Sequence, residues 1–411
     1  MPLARAVSVV AIVDSSPIQL LPALLALKRD AGDALVDVVV IAPPHYRAAA
    51  ERLGALLRGR GLGVTVASQR SGVETLEEQL LAVWEPRASD VAEAHRVLDV
   101  SAASGGSTAR AIACLEGAGC LDFEINWFNE GTGTIRRLSR SVRTSSEVAF
   151  DIGSSEAHPG ITPSEFLSVW GLCEQPQSPY GNLDADTLLP AASRLLDVYC
   201  AEPGWNGAYG VFRKLMRPAR ESAKFRPAFR DLRADAIPAP MQSVLDELAR
   251  LTNWVVPGAD SIRLEGPDDS AAVFFLSGGW LEVVVAAAIR RALPDRAVQI
   301  NLGTTWGRKP NPEAETDVTF VHDNFLYLLS CKNDAALERL FAHLDRFRAL
   351  VAEFGESRTR PVLLSTARLE PRHLARCATF EIGAVHGQVL LECLQQSLGD
   401  TPRAARSGAT G

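Results

Sequence analysis

Asp317-Val-Thr-Phe-Val321 and Phe325-Leu-Tyr-Leu-Leu-Ser-Cys-Lys332 are two short runs rich in β-branched and aromatic residues, separated by the turn-forming His322-Asp-Asn324. The pattern predicts a β-hairpin. Side chains alternate across a strand, so Ser330 and Lys332 share one face, Cys331 takes the other, and Glu315 shares a face with Asp317. Where the two faces coincide, two carboxylates, a hydroxyl and an ammonium meet. Upstream, Trp280 to Leu293 has no internal Gly or Pro and predicts a helix opened by Gly278-Gly279, with Glu282 in its first turn. A glutamate there is also what the helix dipole favours, so Glu282 alone carries no functional reading.

Such residues suit phosphodiester hydrolysis. Carboxylates hold a divalent cation that polarises the scissile phosphate and acidifies a water, and a lysine orients that water or neutralises developing charge. Hard oxygen donors without paired His or Cys point to Mg2+ or Mn2+ rather than zinc. The simpler reading is a hairpin whose charges only protect its edge.

The amino-terminal part has a different rhythm. Val7-Ser-Val-Val-Ala-Ile-Val13 and Val36-Asp-Val-Val-Val-Ile-Ala42 are apolar runs that flank a stretch, Ile18 to Asp30, with helical spacing. Strand, helix, strand predicts a parallel sheet with right-handed crossovers. A later cycle ends at Val97-Leu-Asp-Val-Ser101, followed by Ser104-Gly-Gly-Ser-Thr108 and a helix from Ala109 to Leu115. Ligands of such sheets bind beyond the carboxyl ends of the strands, where backbone N–H groups and a helix start attract phosphate.

Taken together, Leu276-Ser-Gly-Gly-Trp-Leu-Glu282, Glu315-Thr-Asp317-Val318 and Leu328-Leu-Ser-Cys-Lys332 resemble the restriction-endonuclease-like domain of CRISPR ancillary nucleases. In that family a CARF sensor domain precedes a PD-(D/E)XK nuclease. The resemblance implies an α/β protein with a Rossmann-like amino-terminal sensor domain and a restriction-endonuclease-like carboxy-terminal domain. It implies a metal site at Asp317, Glu282 and Ser330, with Glu282, Glu315, Asp317 and Lys332 catalytic. Ser104, Gly105, Gly106, Ser107 and Thr108 stand where the family has a Thr-Gly-Gly-Thr-Lys-like loop, although Thr108 replaces the usual lysine and Ala102 the usual asparagine. Asp14, Ser15, Ser16 and Gln19 match the second ligand-lining loop. The implied activator is cyclic tetra-adenylate, a cyclic oligoadenylate. The implied partners are single-stranded RNA and/or DNA as substrate and a second copy of the chain, with the ligand across the dimer axis.

Ser330 departs from the family pattern, which places Glu two residues before the lysine. A neutral hydroxyl costs the site about one negative charge and weakens its hold on a cation. Three readings stand: the site is inactive, Glu315 or Glu282 supplies the charge, or a carboxylate has moved to the following helix. That helix, Asp334 to Phe354, has an apolar stripe of Leu337, Leu340, Phe341, Leu344, Phe347, Val351 and Phe354, with Glu338 and Asp345 beside it. Two other classes of function remain beside the nuclease: a ligand-controlled binding module, and an amino-terminal ring nuclease that degrades its own activator.

The 411 residues, 47 % hydrophobic, are enough for two globular domains. A net charge of −7 argues against a uniformly basic nucleic-acid coat. Seven cysteines without a CxxC pair and seven histidines without HxxxH make structural zinc and a disulfide framework unexpected. The first apolar run ends at Asp14 without a cleavage site, and the run from Ala271 to Ile289 is interrupted by Gly278-Gly279 and Glu282, so neither a signal peptide nor a membrane span is expected. A cytoplasmic location follows.

The expected division is 1–145 sensor, 146–255 linker and helical connecting region, 256–400 nuclease-like domain and 401–411 disordered tail. In the connecting region, Thr162-Pro-Ser-Glu165 has the form of a capping box, Cys173 to Gly181 reads as a linker, and Leu183 to Leu251 is helical but broken by prolines. Phe212 to Arg233 carries eight basic residues against two acidic ones, interleaved with Phe. This suits a single strand of nucleic acid, and equally a solvated helix whose aromatics face the core. Arg136, Arg137, Arg140 and Arg143 form a second basic cluster with the same two readings.

Overall fold

A computed structural model describes residues 7–32, 35–68, 75–90, 95–120, 122–129, 134–140, 145–150, 161–175, 185–204, 206–223, 230–264, 271–293, 300–308, 311–322, 325–333, 340–353 and 358–399. The chain folds as two compact units, Met1–Cys173 with His322–Phe325, and Glu174–Val321 with Leu326–Gly411.

In the first unit, strands β1 (Val7–Val13), β2 (Leu35–Ala42), β3 (Val64–Ser68), β4 (His95–Ala102) and β5 (Phe123–Asn129) lie in the order β3-β2-β1-β4-β5 and are all parallel. Helices α1 (Leu20–Ala31), α2 (Arg47–Gly59), α3 (Leu76–Asp90) and α4 (Gly105–Gly117) connect them. The central strand β1 buries residues on both faces, which is why Val7 to Val13 is apolar almost throughout rather than alternating. Two antiparallel strands, β6 (Thr134–Arg140) and β7 (Ser145–Phe150), extend the sheet beyond β5. The predicted capping box forms at α5 (Pro163–Ser168), where the Thr162 hydroxyl and the Glu165 carboxylate exchange bonds with each other's backbone N–H.

The second unit has a six-stranded sheet in the order β16-β15-β14-β13-β12-β8, made from β8 (Cys173–Gln175), β12 (Ile300–Arg308), β13 (Asn311–His322), β14 (Phe325–Lys332), β15 (Thr359–Ser365) and β16 (Gly383–His386). The sheet is mixed: β12 and β13 are antiparallel, whereas β14, β15 and β16 run parallel. The predicted hairpin strands β13 and β14 are neighbours. A small antiparallel sheet joins β9 (Arg230–Arg233), β10 (Val255–Pro257) and β11 (Ser261–Leu264).

Helices α6 (Ala185–Ala201), α7 (Ala208–Ala223) and α8 (Ala239–Leu251), from the expected connecting region, share one hydrophobic core with α9 (Ala271–Phe274) and α10 (Trp280–Ala292). The rest of the unit comprises α11 (Leu340–Glu353), α12 (Pro371–Thr379) and α13 (Gly387–Gly399). Ala271–Ala292 is long and apolar enough to cross a membrane, but 72 % of an apolar 18-residue stretch within it is buried inside the protein, as in a core helix.

Cys173 to Gln175 forms a strand rather than a linker, while 176–181 and the tail 401–411 lie outside the described residues. Phe212 is fully buried and Arg213 nearly so, which places this end of the basic stretch in the core. The side chains of Arg217 to Arg230, and those of Arg137, Arg140 and Arg143, lie outside the described residues.

Candidate active site

Residues from two neighbouring strands and two helices gather in the second unit. Asp317 on β13 accepts hydrogen bonds at one carboxylate oxygen, Oδ2, from Lys332 Nζ at 2.9 Å, Ser330 Oγ at 3.1 Å and the Cys331 backbone N–H at 2.6 Å. The alternation along β14 brings Ser330 and Lys332 to the same carboxylate, as the period of the strand predicts. Glu282, in the first turn of α10, is buried, and its charge acts on Lys332 and on Cys331. Burial pulls the Lys332 pKa down, but Asp317, aided by Glu282, more than reverses this, so the ammonium keeps its proton. The Cys331 thiol is pushed well above its ordinary value by burial and by the same two carboxylates, which rules it out as a thiolate nucleophile at neutral pH. Glu315 lies on β13 opposite Thr305, and its side chain is outside the described residues.

The following helix presents a different kind of side chain to Ser330. Asp345 is paired with Arg376 of α12 at 2.5 Å, so it is engaged elsewhere, and Glu338 lies outside the described residues. The α11 side chain that does reach Ser330 is His343, whose Nε2 is 2.8 Å from Ser330 Oγ. Burial and the Lys332 ammonium push the His343 pKa down to about 4, with Asp317 only partly opposing them, so the imidazole is neutral at neutral pH. His343 falls three residues after Leu340 and four before Phe347, both buried, so a signal was present: a polar side chain set beside the apolar stripe.

A second network fixes the start of α10 against the end of β14. The chain enters α10 through a wide turn, Phe275–Gly279, whose i→i+5 pattern leaves carbonyls free for side chains. Tyr209 donates its hydroxyl to Leu276 C=O at 3.1 Å and accepts from Trp280 Nε1 at 2.9 Å. Asn333, next to Lys332, donates from Nδ2 to Ser277 C=O at 2.8 Å, and its Oδ1 accepts from Arg213 Nη1 at 2.9 Å. A Cβ on Gly278 would stand 2.5 Å from Asn333 Nδ2, so glycine there allows the close approach of helix start and strand end. Glu282 and Lys332 are thereby held in one frame.

Among the described residues, no group of three or more His, Cys, Asp or Glu is arranged to hold a metal ion. The donors present, two carboxylates and a hydroxyl with no thiolate, suit a hard cation that keeps much of its water.

In the first unit, the two predicted loops meet. The Asp14 carboxylate accepts from the Ser104 backbone N–H at 2.5 Å and from Ser104 Oγ at 2.7 Å. Ser104 Oγ in turn accepts from the Ser107 N–H at 3.2 Å and caps α4, so the helix starts at Gly105 rather than at the expected Ala109. Asp14 and Ser15 donate their backbone N–H groups to Ala102 C=O at 3.0 Å, and Ser15 Oγ lies 2.8 Å from that carbonyl and 3.3 Å from Gln19 Oε1. Ser16 Oγ is buried with no hydrogen-bond partner among the described residues. The Thr108 N–H closes the first helical turn on Ser104 C=O. Gly105 and Gly106 are exposed at the positive end of a thirteen-residue helix, where an anion is favoured.

Neither a protein-family model nor a curated protein matches the sequence. Solved structures do match it. Protein VC1899 from Vibrio cholerae aligns over 95 % of this chain and 96 % of its own, with 15 % identity and a TM-score of 0.68. Can2 from Sulfobacillus thermosulfidooxidans, solved in complex with cyclic tetra-adenylate (cA4), aligns over 95 % of this chain and 98 % of its own, with 13 % identity and a TM-score of 0.61. This chain shares their fold almost end to end. A type III CRISPR defence DNA nuclease activated by cyclic oligoadenylate aligns over 99 % of this chain and 53 % of its own, with 17 % identity and a TM-score of 0.53. The likeness is one of architecture: a mainly parallel amino-terminal sheet followed by a mixed carboxy-terminal sheet.

Proposed function

We propose that this protein is a cyclic-oligoadenylate-responsive effector of type III CRISPR defence, in which the amino-terminal unit senses the activator and the carboxy-terminal unit hydrolyses phosphodiester bonds. The observation that carries this reading is the pairing of Asp317 with Lys332, within the field of Glu282, in a fold like that of Can2 with cA4. Asp317 and Glu282 would hold Mg2+ or Mn2+, with Ser330 as a neutral neighbour; the bound cation supplies Lewis acidity toward phosphate and an acidified water. Lys332, kept charged at the edge of the site, orients that water or neutralises a phosphate oxygen.

The activator proposed is cyclic tetra-adenylate, bound at Asp14, Ser15, Ser16, Gln19 and Ser104 to Thr108, where exposed Gly105 and Gly106 open α4. A ring of four like nucleotides has two-fold symmetry, and two copies of one loop set across a dimer axis match it, so the proposed form is a homodimer. Activation is then a shift between two arrangements that bind the ring unequally. Single-stranded RNA and/or DNA is the proposed substrate, and the cytoplasm the proposed location.

A second reading, an inactive ligand-controlled binding module, is favoured by one observation: a neutral hydroxyl, Ser330, stands beside Asp317 where the resemblance leads one to expect a carboxylate. Calorimetric titration with cyclic tetra-adenylate, run beside cleavage assays in Mn2+, separates the two. Binding with cleavage supports the nuclease, binding alone the module, and no binding refutes both.

A further inference from the structure

Ser330 Oγ stands between an acceptor and an imidazole, with Asp317 Oδ2 at 3.1 Å and His343 Nε2 at 2.8 Å. A hydroxyl has one proton to give, a carboxylate only accepts, and a neutral imidazole donates at one nitrogen and accepts at the other. Asp317 Oδ2 already gathers N–H groups from Lys332 and Cys331, so the Ser330 proton completes a set of three donors there. With that proton on Asp317, Ser330 Oγ can only accept from His343.

We infer that His343 is a positioning residue of the carboxy-terminal site: as the Nε2–H tautomer it donates to Ser330 Oγ and thereby directs the Ser330 hydroxyl proton to Asp317. The relay puts a neutral, proton-directing pair where the resemblance leads one to expect a carboxylate. Its geometry is held by the helix. Leu340, Leu344 and Phe347 are buried around His343 on α11, and the imidazole lies nearly parallel to the Phe347 ring, 16° between planes with centroids 6.0 Å apart. A ring fixed in this way can set the orientation of a hydroxyl that would otherwise rotate freely. The hydrogen-bonding part of the inference stands on geometry, and its effect on turnover rests on the proposed phosphodiester cleavage.

Nitrogen NMR of the full chain with 15N-labelled histidine tests the relay directly, with His343→Gln used to assign the signal. The expected result is the Nε2–H tautomer in the wild type, and loss of that preference in Ser330→Ala. An Nδ1–H tautomer in the wild type would overturn the inference, because Ser330 would then be donating to His343 instead of Asp317. In cleavage assays, His343→Gln, whose amide can still donate, is expected to stay within a few-fold of wild type, while His343→Leu loses about 10- to 100-fold in kcat at unchanged KM. Equal losses in both variants at wild-type melting temperature would also overturn it. A wild-type protein that binds the activator but never cuts would sink the nuclease reading, and the tautomer alone would still decide the relay.

Discussion

Lys332 Nζ lies 2.9 Å from Asp317 Oδ2, on neighbouring strands of a mixed sheet, with 22 % and 15 % of the two side chains exposed. Charges this sheltered are kept only when each has a partner. The pair is therefore mutually dependent, and Glu282 adds to the field that keeps the lysine protonated.

Lys332→Ala is expected to abolish cleavage, by a factor of at least about 100, while leaving cyclic tetra-adenylate affinity unchanged. Asp317→Asn should match it in activity, and Asp317→Ala should also cost roughly 3 kcal/mol or less of stability, because a mostly buried ammonium loses its counter-ion. Calorimetry with the activator and urea melts of each variant check both halves. Undiminished cleavage by Lys332→Ala would remove that residue from the mechanism.

Gly278→Ala forces a Cβ to within 2.5 Å of Asn333 Nδ2. The expected cost is about 1–3 kcal/mol, with lower activity because Glu282 and Lys332 lose their common frame. Arg213→Ala should reproduce part of the activity loss through Asn333, since Arg213 Nη1 holds its Oδ1. A Gly278→Ala protein with wild-type stability and turnover would show that the close approach does not matter.

The pH dependence follows from His343, whose ordinary pKa of 6.5 falls to about 4 in the folded protein. Between those values the unfolded chain binds more protons than the folded one, so stability rises with pH. This contribution is complete above 6.5 and is lost as pH falls toward 4. His343→Leu should therefore flatten the fall in melting temperature on acidification across that window. An unchanged slope would mean that other groups govern it.

At the amino-terminal loops, Asp14→Ala removes the acceptor for both the N–H and the hydroxyl of Ser104. Each bond to a charged group contributes about 1.5–3 kcal/mol at most, less where water can replace it. Activator binding should weaken by roughly tenfold, and by less in Asp14→Asn, whose side chain keeps an acceptor oxygen. Titration calorimetry reads the difference. Equal affinities in both variants and wild type would show that Asp14 does not order the pocket.

Much of this was written in the chain. Val7 to Val13 announces an apolar strand of a parallel sheet, and the alternation along Phe325 to Lys332 sets Ser330 and Lys332 on one face, which in the fold is the face that meets Asp317. What stayed hidden has physical causes. His343 was missed because a single neutral imidazole leaves no charge pattern and borders an apolar stripe that dominates the periodicity. Asp345 looked available because sequence shows the face of a helix and not the arginine of another helix waiting there. For the basic stretch, sequence left two readings open, and the fold bears on one end of it alone: Phe212 faces the core and Arg213 is buried there, engaged with Asn333. The strands β9, β10 and β11 are only three or four residues long, too short for an alternation to declare itself.

The most direct measurement is cleavage of labelled single-stranded RNA, single-stranded DNA and supercoiled plasmid in Mn2+, with and without cyclic tetra-adenylate, for wild type and Asp317→Ala. Cutting that requires both the activator and Asp317 is the predicted result, and it would also name the substrate. Tight activator binding with no cutting of any of the three would contradict the account, leaving a sensor whose carboxy-terminal unit binds without hydrolysing.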